Sequence, residues 1–222
     1  MKKLFLLLTF TFTFLSCSSD DDMSNTSEVN NYKKIKTIIS ENSTTTYFYN
    51  AKGFISEMNY ESDISFNAKF IYQGNRIVQK ETSFFSGNIE IEKYYYEGDN
   101  IAKSETEHSY VEYFYNEAGQ MIKAISIHPY APVFNNEVVF SYSLDGNLFS
   151  QMSSDGYYET FDYDDKINPD FYSIPSSLLK IGRVSKNNIT RYGDFHYSYE
   201  YDLDEYPIIR YSSGETFVYT YY

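Results

Sequence analysis

The chain has 222 residues, 31 acidic against 18 basic, and a net charge of −13. That surface repels nucleic acid and anionic lipid headgroups, and a single cysteine, Cys17, leaves no disulfide framework and no cysteine metal site. With 26 Tyr, 18 Phe and no Trp, and turn residues at short intervals, the composition is that of a β protein.

Met1, Lys2 and Lys3 form a basic head on an apolar run from Leu4 to Leu15 that is too short to span a bilayer, so residues 1–16 read as a secretory signal. The run ends in Leu15-Ser16-Cys17-Ser18, which resembles a lipobox. The resemblance implies cleavage before Cys17 and a diacyl anchor on it, which accounts for both the position and the solitude of the cysteine. Removing Lys2 and Lys3 makes the mature chain more acidic still. Ser18-Ser19-Asp20-Asp21-Asp22 opens a polar stretch with almost nothing to pack, and residues 17–31 are expected to be a disordered acidic tether. The triplet Asp20, Asp21 and Asp22 resembles the export signal of Bacteroidota surface lipoproteins, which implies a lipid-anchored protein in the outer membrane, facing the cell exterior.

Residues 32–222 suffice for one core and are read as a single domain. One pattern recurs through them: an aromatic, any residue, a tyrosine, a polar turn that usually holds glycine, then an aliphatic residue. It is found at Tyr47-Phe48-Tyr49 with Gly53 and Ile55, at Phe70-Ile71-Tyr72 with Gly74 and Ile77, and at Tyr94-Tyr95-Tyr96 with Gly98 and Ile101. It returns at Tyr113-Phe114-Tyr115 with Gly119 and Met121, and at Phe140-Ser141-Tyr142 with Gly146 and Leu148; weaker copies are Phe161-Asp162-Tyr163 and Tyr199-Glu200-Tyr201. The first six copies lie roughly two dozen residues apart and the last follows after 38, room in each for two strands and their turns. Gly74-Asn75 and Gly98-Asp99 suit tight hairpins, so the strands run antiparallel in chain order.

Strand alternation puts the first aromatic and the tyrosine of each copy on one face. The residue between them faces the other way, apolar in Phe48, Ile71, Tyr95 and Phe114 and polar in Ser141, Asp162 and Glu200, which predicts a second face covered at one end of the sheet and wet at the other. The expected fold is all-β: one large twisted, curled antiparallel meander sheet. A short helical or loop insertion is expected near 169–190, where Ser176-Ser177-Leu178-Leu179-Lys180-Ile181 predicts a turn or two of helix capped by the serines and packed over an edge or face of the sheet.

The repeat resembles the YD repeat of the Rhs family in its strand-turn-strand logic, though Tyr-Asp survives only at Tyr163-Asp164 and Tyr201-Asp202, and the arginine only as Arg76 before Ile77. A second likeness is to Bacteroidota lipoproteins of unknown function that combine such degenerate repeats with a late interruption. These resemblances imply a fold family and a location and no activity.

No nucleophile elbow, phosphate loop or metalloprotease helix occurs, and no cofactor is expected. His108, His128 and His196 lack metal-ligand spacing, and Asp162, Asp164, Asp165 and Asp170 lack the glycine a calcium loop needs. The last strand, Phe217-Val218-Tyr219-Thr220-Tyr221-Tyr222, looks like the closing strand of an outer-membrane barrel, but charged strand faces could not meet lipid. Two functions stay open. One is a non-enzymatic binding or structural module whose sheet meets a protein or glycan. The other is a hydrolase or apolar-ligand carrier, which a deep tyrosine-lined concavity with converging His or carboxylates would favour.

Overall fold

The computed structural model describes residues 32–222. The signal, Cys17 and the triplet Asp20, Asp21 and Asp22 lie outside the described residues. The sixteen strands are β1 (Ile35–Ile39), β2 (Thr44–Tyr49), β3 (Ile55–Glu61), β4 (Phe66–Gln73), β5 (Arg76–Phe84), β6 (Ile89–Glu97), β7 (Asn100–Glu105), β8 (Tyr110–Tyr115), β9 (Met121–Ile127), β10 (Asn136–Tyr142), β11 (Leu148–Ser153), β12 (Tyr158–Ile167), β13 (Asn187–Tyr192), β14 (Phe195–Tyr201), β15 (Pro207–Ser212) and β16 (Glu215–Tyr221). Each pairs antiparallel with its neighbours in chain order, and β16 returns to β1 through Ile35 opposite Tyr221 and Ile38 opposite Tyr219. The expected open meander is therefore a closed barrel, and closure leaves no free strand edge.

The curl that closes it comes from one device used at the β16–β1 seam, where Lys36 is the extra residue between Ile35 and Thr37, and in all seven copies of the repeat. Pairing slips by a residue between Phe48 and Tyr49, and again before Tyr72, Tyr96, Tyr115, Tyr142, Tyr163 and Tyr201. In each case the strand after the turn carries the extra residue, Ser56, Val78 and Ala102 in the first three copies. A bulge bends its strand and increases the twist, so a bulge at the same place in every copy rolls the sheet steadily in one direction.

Behind most of these bulges the marker tyrosine points into the barrel and donates its hydroxyl to the backbone of the preceding copy. Tyr72 bonds the Ile55 carbonyl at 2.7 Å, Tyr96 that of Ile77 at 2.9 Å, Tyr115 that of Ile101 at 2.8 Å and Tyr142 that of Met121 at 2.8 Å. Tyr49 reaches Ile35 and Tyr221 reaches Pro207 in the same way. The acceptor residues are the buried core: Ile35, Ile77, Ile101 and Met121 are all at most 1% exposed. Two markers depart from the series: the Tyr163 hydroxyl is buried with no hydrogen-bond partner, and Tyr201 donates to the Asp164 carboxylate while Tyr199 bonds the Ile189 carbonyl at 2.9 Å.

The connection from β12 to β13 folds back into the barrel end that carries these tyrosines. A 3-10 turn, Pro169–Tyr172, leads to helix α1, Ser176–Gly182. The serines do not cap α1: Pro175 precedes it without a side-chain cap, and Ser177 Oγ lies 3.2 Å from the Tyr96 hydroxyl. Nor does the insertion lie over the outside of the sheet. Leu178 and Ile181 pack on Ile77, Tyr94 and Ile101, and Ile181 also touches the cluster of Met121, Phe140, Leu148 and Phe161. The Ser173 carbonyl accepts from the Ile55 amide at 2.9 Å and Lys180 Nζ donates to Asn100 Oδ1 at 2.6 Å. Ties to β3, β6 and β7 make the insertion a plug.

The outward face departs from expectation as well. Phe48, Ile71, Tyr95 and Phe114 are each about two-fifths exposed and no second layer covers them. They alternate with charges of opposite sign that stand across from one another on neighbouring strands, Glu57 and Glu81 flanking Lys69, and Lys103 opposite Glu112. Lys103 and Lys123 lie 4.7 Å over the rings of Tyr95 and Phe114, so the aliphatic stems shield the aromatics that a covering layer was expected to bury.

Candidate functional site

The plug fills one side of the barrel end and leaves a cavity of about 800 Å³ against β12–β16, reaching from Pro169 and Asp170 on the plug to Ser212 and Ser213 at the far rim. This volume falls within the range of roughly 300–1,000 Å³ usual for small-molecule sites. The walls follow from alternation. On β14, Tyr197 and Tyr199 pair with Ser212 and Arg210 of β15, and Arg210 pairs in turn with Phe217 of β16, so one row of inward side chains runs Tyr199, Arg210, Phe217.

Arg210 is the most telling member of that row. Its guanidinium carbon sits 4.1 Å from the Phe217 ring centre and 5.8 Å from that of Tyr197. Its Nε is buried without a hydrogen-bond partner, and among the described residues no carboxylate forms an ion pair with it. On the outer surface, by contrast, Arg76 pairs with Asp99 at 2.8 Å and Arg191 with Asp162 at 2.6 Å. Arg183, the second guanidinium lining the cavity, is already engaged: it donates to Gln151, which donates to Glu159. Burial works to raise the Glu159 carboxyl, but hydrogen bonds from Tyr157, Tyr192 and Gln151 and the charge of Arg183 outweigh it and hold the group below its usual range.

Asp170 stands on the plug facing the cavity. Loss of water around its carboxyl pushes its pKa up, against the opposing pull of Arg210. Burial likewise raises the Tyr219 phenol to about 12, again opposed by Arg210. The cavity thus combines one unpaired guanidinium, an acid biased toward its neutral form and a wall of aromatic rings.

The structure separates the acidic cluster that the sequence groups together. Asp162 is outside on Arg191, Asp164 accepts from the Tyr201 hydroxyl and from the Asn188 amide, Asp165 is exposed, and Asp170 alone faces the lumen. The histidines also stay apart: His108 and His196 are exposed, and His128 contacts Ser126. Among the described residues no group of three His, Cys, Asp or Glu is placed to hold a metal ion. Sequence reasoning missed Arg210, although Pro207-Ile208-Ile209-Arg210 repeats the step that places Lys80 inside after Ile77.

The architecture is that of a sixteen-stranded antiparallel barrel with an internal plug. No protein-family model matches the chain, and no curated protein matches it. Among solved structures, a porin-like protein from Bacteroides uniformis is similar at a TM-score of 0.56 and 11% identity, with 86% of this chain and 96% of that chain covered. The Tc holotoxin pore of Photorhabdus luminescens aligns over 76% of this chain and 11% of that chain at 10% identity, and TcdB2-TccC3 over the same shares at 9% identity. Both have a TM-score of 0.34, too low to define a shared fold.

Proposed function

We propose that this chain is a lipid-anchored protein of the outer membrane that works by binding, taking a small ligand into the lumen of its barrel. The observation that carries the reading is the cavity itself, floored by the plug and reaching the opposite rim. The lipobox at Cys17 and the export signal at Asp20, Asp21 and Asp22 supply the anchor and the outward address. The likeness to a protein described as porin-like supports an envelope setting for the fold.

Anchoring by lipid and not by the barrel wall follows from the outward rows of charge. A single Lys or Arg at the bilayer midplane costs about 2–4 kcal/mol, and Lys69, Lys103, Glu57, Glu81 and Glu112 all face outward. The barrel is therefore read as standing clear of the membrane. The hydrolase alternative requires histidines or several carboxylates converging on the concavity. The concavity exists, but His108 and His196 are exposed and Asp170 is the acid on its floor, which favours binding over catalysis.

A thermal-shift screen of soluble small molecules against the mature protein tests the lumen reading. A ligand at one hundred times its Kd adds about 2.7 kcal/mol, a rise of several degrees for a chain this long. Ser212→Trp, which fills the mouth of the cavity, is expected to abolish the shift. Shifts of equal size in both proteins, or none in the unaltered one, would reject the lumen as the binding site.

A further inference from the structure

The geometry points to a ring-bodied organic carboxylate as the ligand of the lumen, its carboxylate held by Arg210 and its ring laid against Phe217, Tyr197 and Tyr219. The inference rests on the lumen-binding reading above and adds the chemical class. Three observations support it.

The first is the state of Arg210. A guanidinium carries five donors in a planar fork, and a carboxylate is the partner whose geometry matches two of them at once. In a chain with an excess of acids, the other two lumen-independent arginines, Arg76 and Arg191, have carboxylates on the surface. Among the described residues Arg210 has none, its Nε is shielded from solvent, and its guanidinium carbon lies 4.1 Å from the Phe217 ring centre. A buried donor left without a partner costs about 1–3 kcal/mol, and an incoming carboxylate removes that cost.

The second is the neighbourhood. Asp170 and Glu215 also line the cavity, but among the described residues neither forms an ion pair with Arg210, and loss of water around the Asp170 carboxyl works to raise its pKa against the pull of Arg210. Arg183 adds a second positive charge to the same cavity. The third is the wall: Tyr197 and Phe217, on the strands either side of Arg210, bring their ring centres to 5.8 and 4.1 Å from its guanidinium carbon, and Tyr219 lines the same cavity, which suits a flat or chair-shaped ring and not a bare inorganic ion.

Acidic sugars and aromatic acids share this chemistry, and one experiment separates them. Isothermal titration of the mature protein is run with D-glucuronate and with 4-hydroxyphenylacetate, each beside its neutral counterpart, D-glucose and 4-hydroxyphenylethanol. At least one acid is expected to bind about 10- to 100-fold more tightly than its neutral counterpart, the range a charged hydrogen bond supplies. Arg210→Gln should remove that advantage while Arg210→Lys keeps part of it, with far-ultraviolet circular dichroism confirming that both variants are folded. Which acid binds identifies the source. Equal binding of acid and neutral compound, unchanged affinity in Arg210→Gln, or no binding by either acid would overturn the proposal. Ligands from the stabilisation screen that depend on an open mouth but ignore Arg210 would leave the lumen reading standing and reject only the acid.

Discussion

The marker tyrosines Tyr49, Tyr72, Tyr96, Tyr115 and Tyr142 do two jobs with one side chain: the ring fills space behind a bulge, and the hydroxyl ties its strand to the strand start of the neighbouring copy. Valine or isoleucine would supply the first and not the second, which explains why this core is written in tyrosine. Tyr142 and Tyr163 separate the two contributions, because Tyr142 bonds the Met121 carbonyl at 2.8 Å and the buried Tyr163 hydroxyl has no partner. Tyr142→Phe should therefore lower stability by about 1 kcal/mol, whereas Tyr163→Phe should leave it unchanged or raise it. Urea denaturation midpoints at constant m decide the matter. The inward direction of these tyrosines was legible from spacing alone, since an aromatic two residues before a tyrosine must share its face. The hydrogen bond was not, because its acceptor is a carbonyl whose position depends on the bulge.

At the level of elements, strand order, antiparallel pairing and the turn glycines could all be read from the sequence, because Gly74 and Gly98 take the positive φ their hairpins need. Two features escaped. A bulge adds one residue without a compositional mark: Ser56, Val78, Ala102 and Ile122 share no chemistry, so the period-two pattern simply slips. The insertion was placed along the chain and against the sheet, but which face it covers was not legible, since an apolar helix of one or two turns says that it must be buried and not in what. Its attachment predicts its worth. Ile181 touches both core clusters, so Ile181→Ala should cost about 2 kcal/mol, at the low end for an aliphatic truncation because the residue is only partly buried. Added exposure of the lumen should appear as binding of a hydrophobic dye at denaturant concentrations where the unaltered protein binds none.

For the whole molecule, the charged outer rows that were read as a bar to an outer-membrane barrel are a bar only to lipid contact, not to closure. The likeness of the last strand to a closing strand was set aside on those charges, yet β16 does close the barrel against β1. Anchor and barrel then make separate predictions. Cys17→Ser should abolish metabolic labelling with palmitate and move the protein from the detergent phase to the aqueous phase, while leaving its thermal unfolding unchanged. Continued labelling would remove the lipobox reading, and insertion of the Cys17→Ser protein into vesicles would show that the wall itself meets lipid.

The seam between β1 and β16 sets the timing of folding. Every other strand pair joins neighbours in sequence, but Ile35 meets Tyr221 across nearly the whole domain. Bringing such distant segments together is the slow, entropically costly step of a topology. In a chain delivered from its amino end, fourteen hairpin-like pairings can assemble in order as they emerge, yet none of them can seal the wall. Until the final strand arrives, β1 waits with an unsatisfied edge, open to a second copy or to any extended peptide. The barrel thus carries a clock in its connectivity, and its most vulnerable interval ends only when the last strand docks.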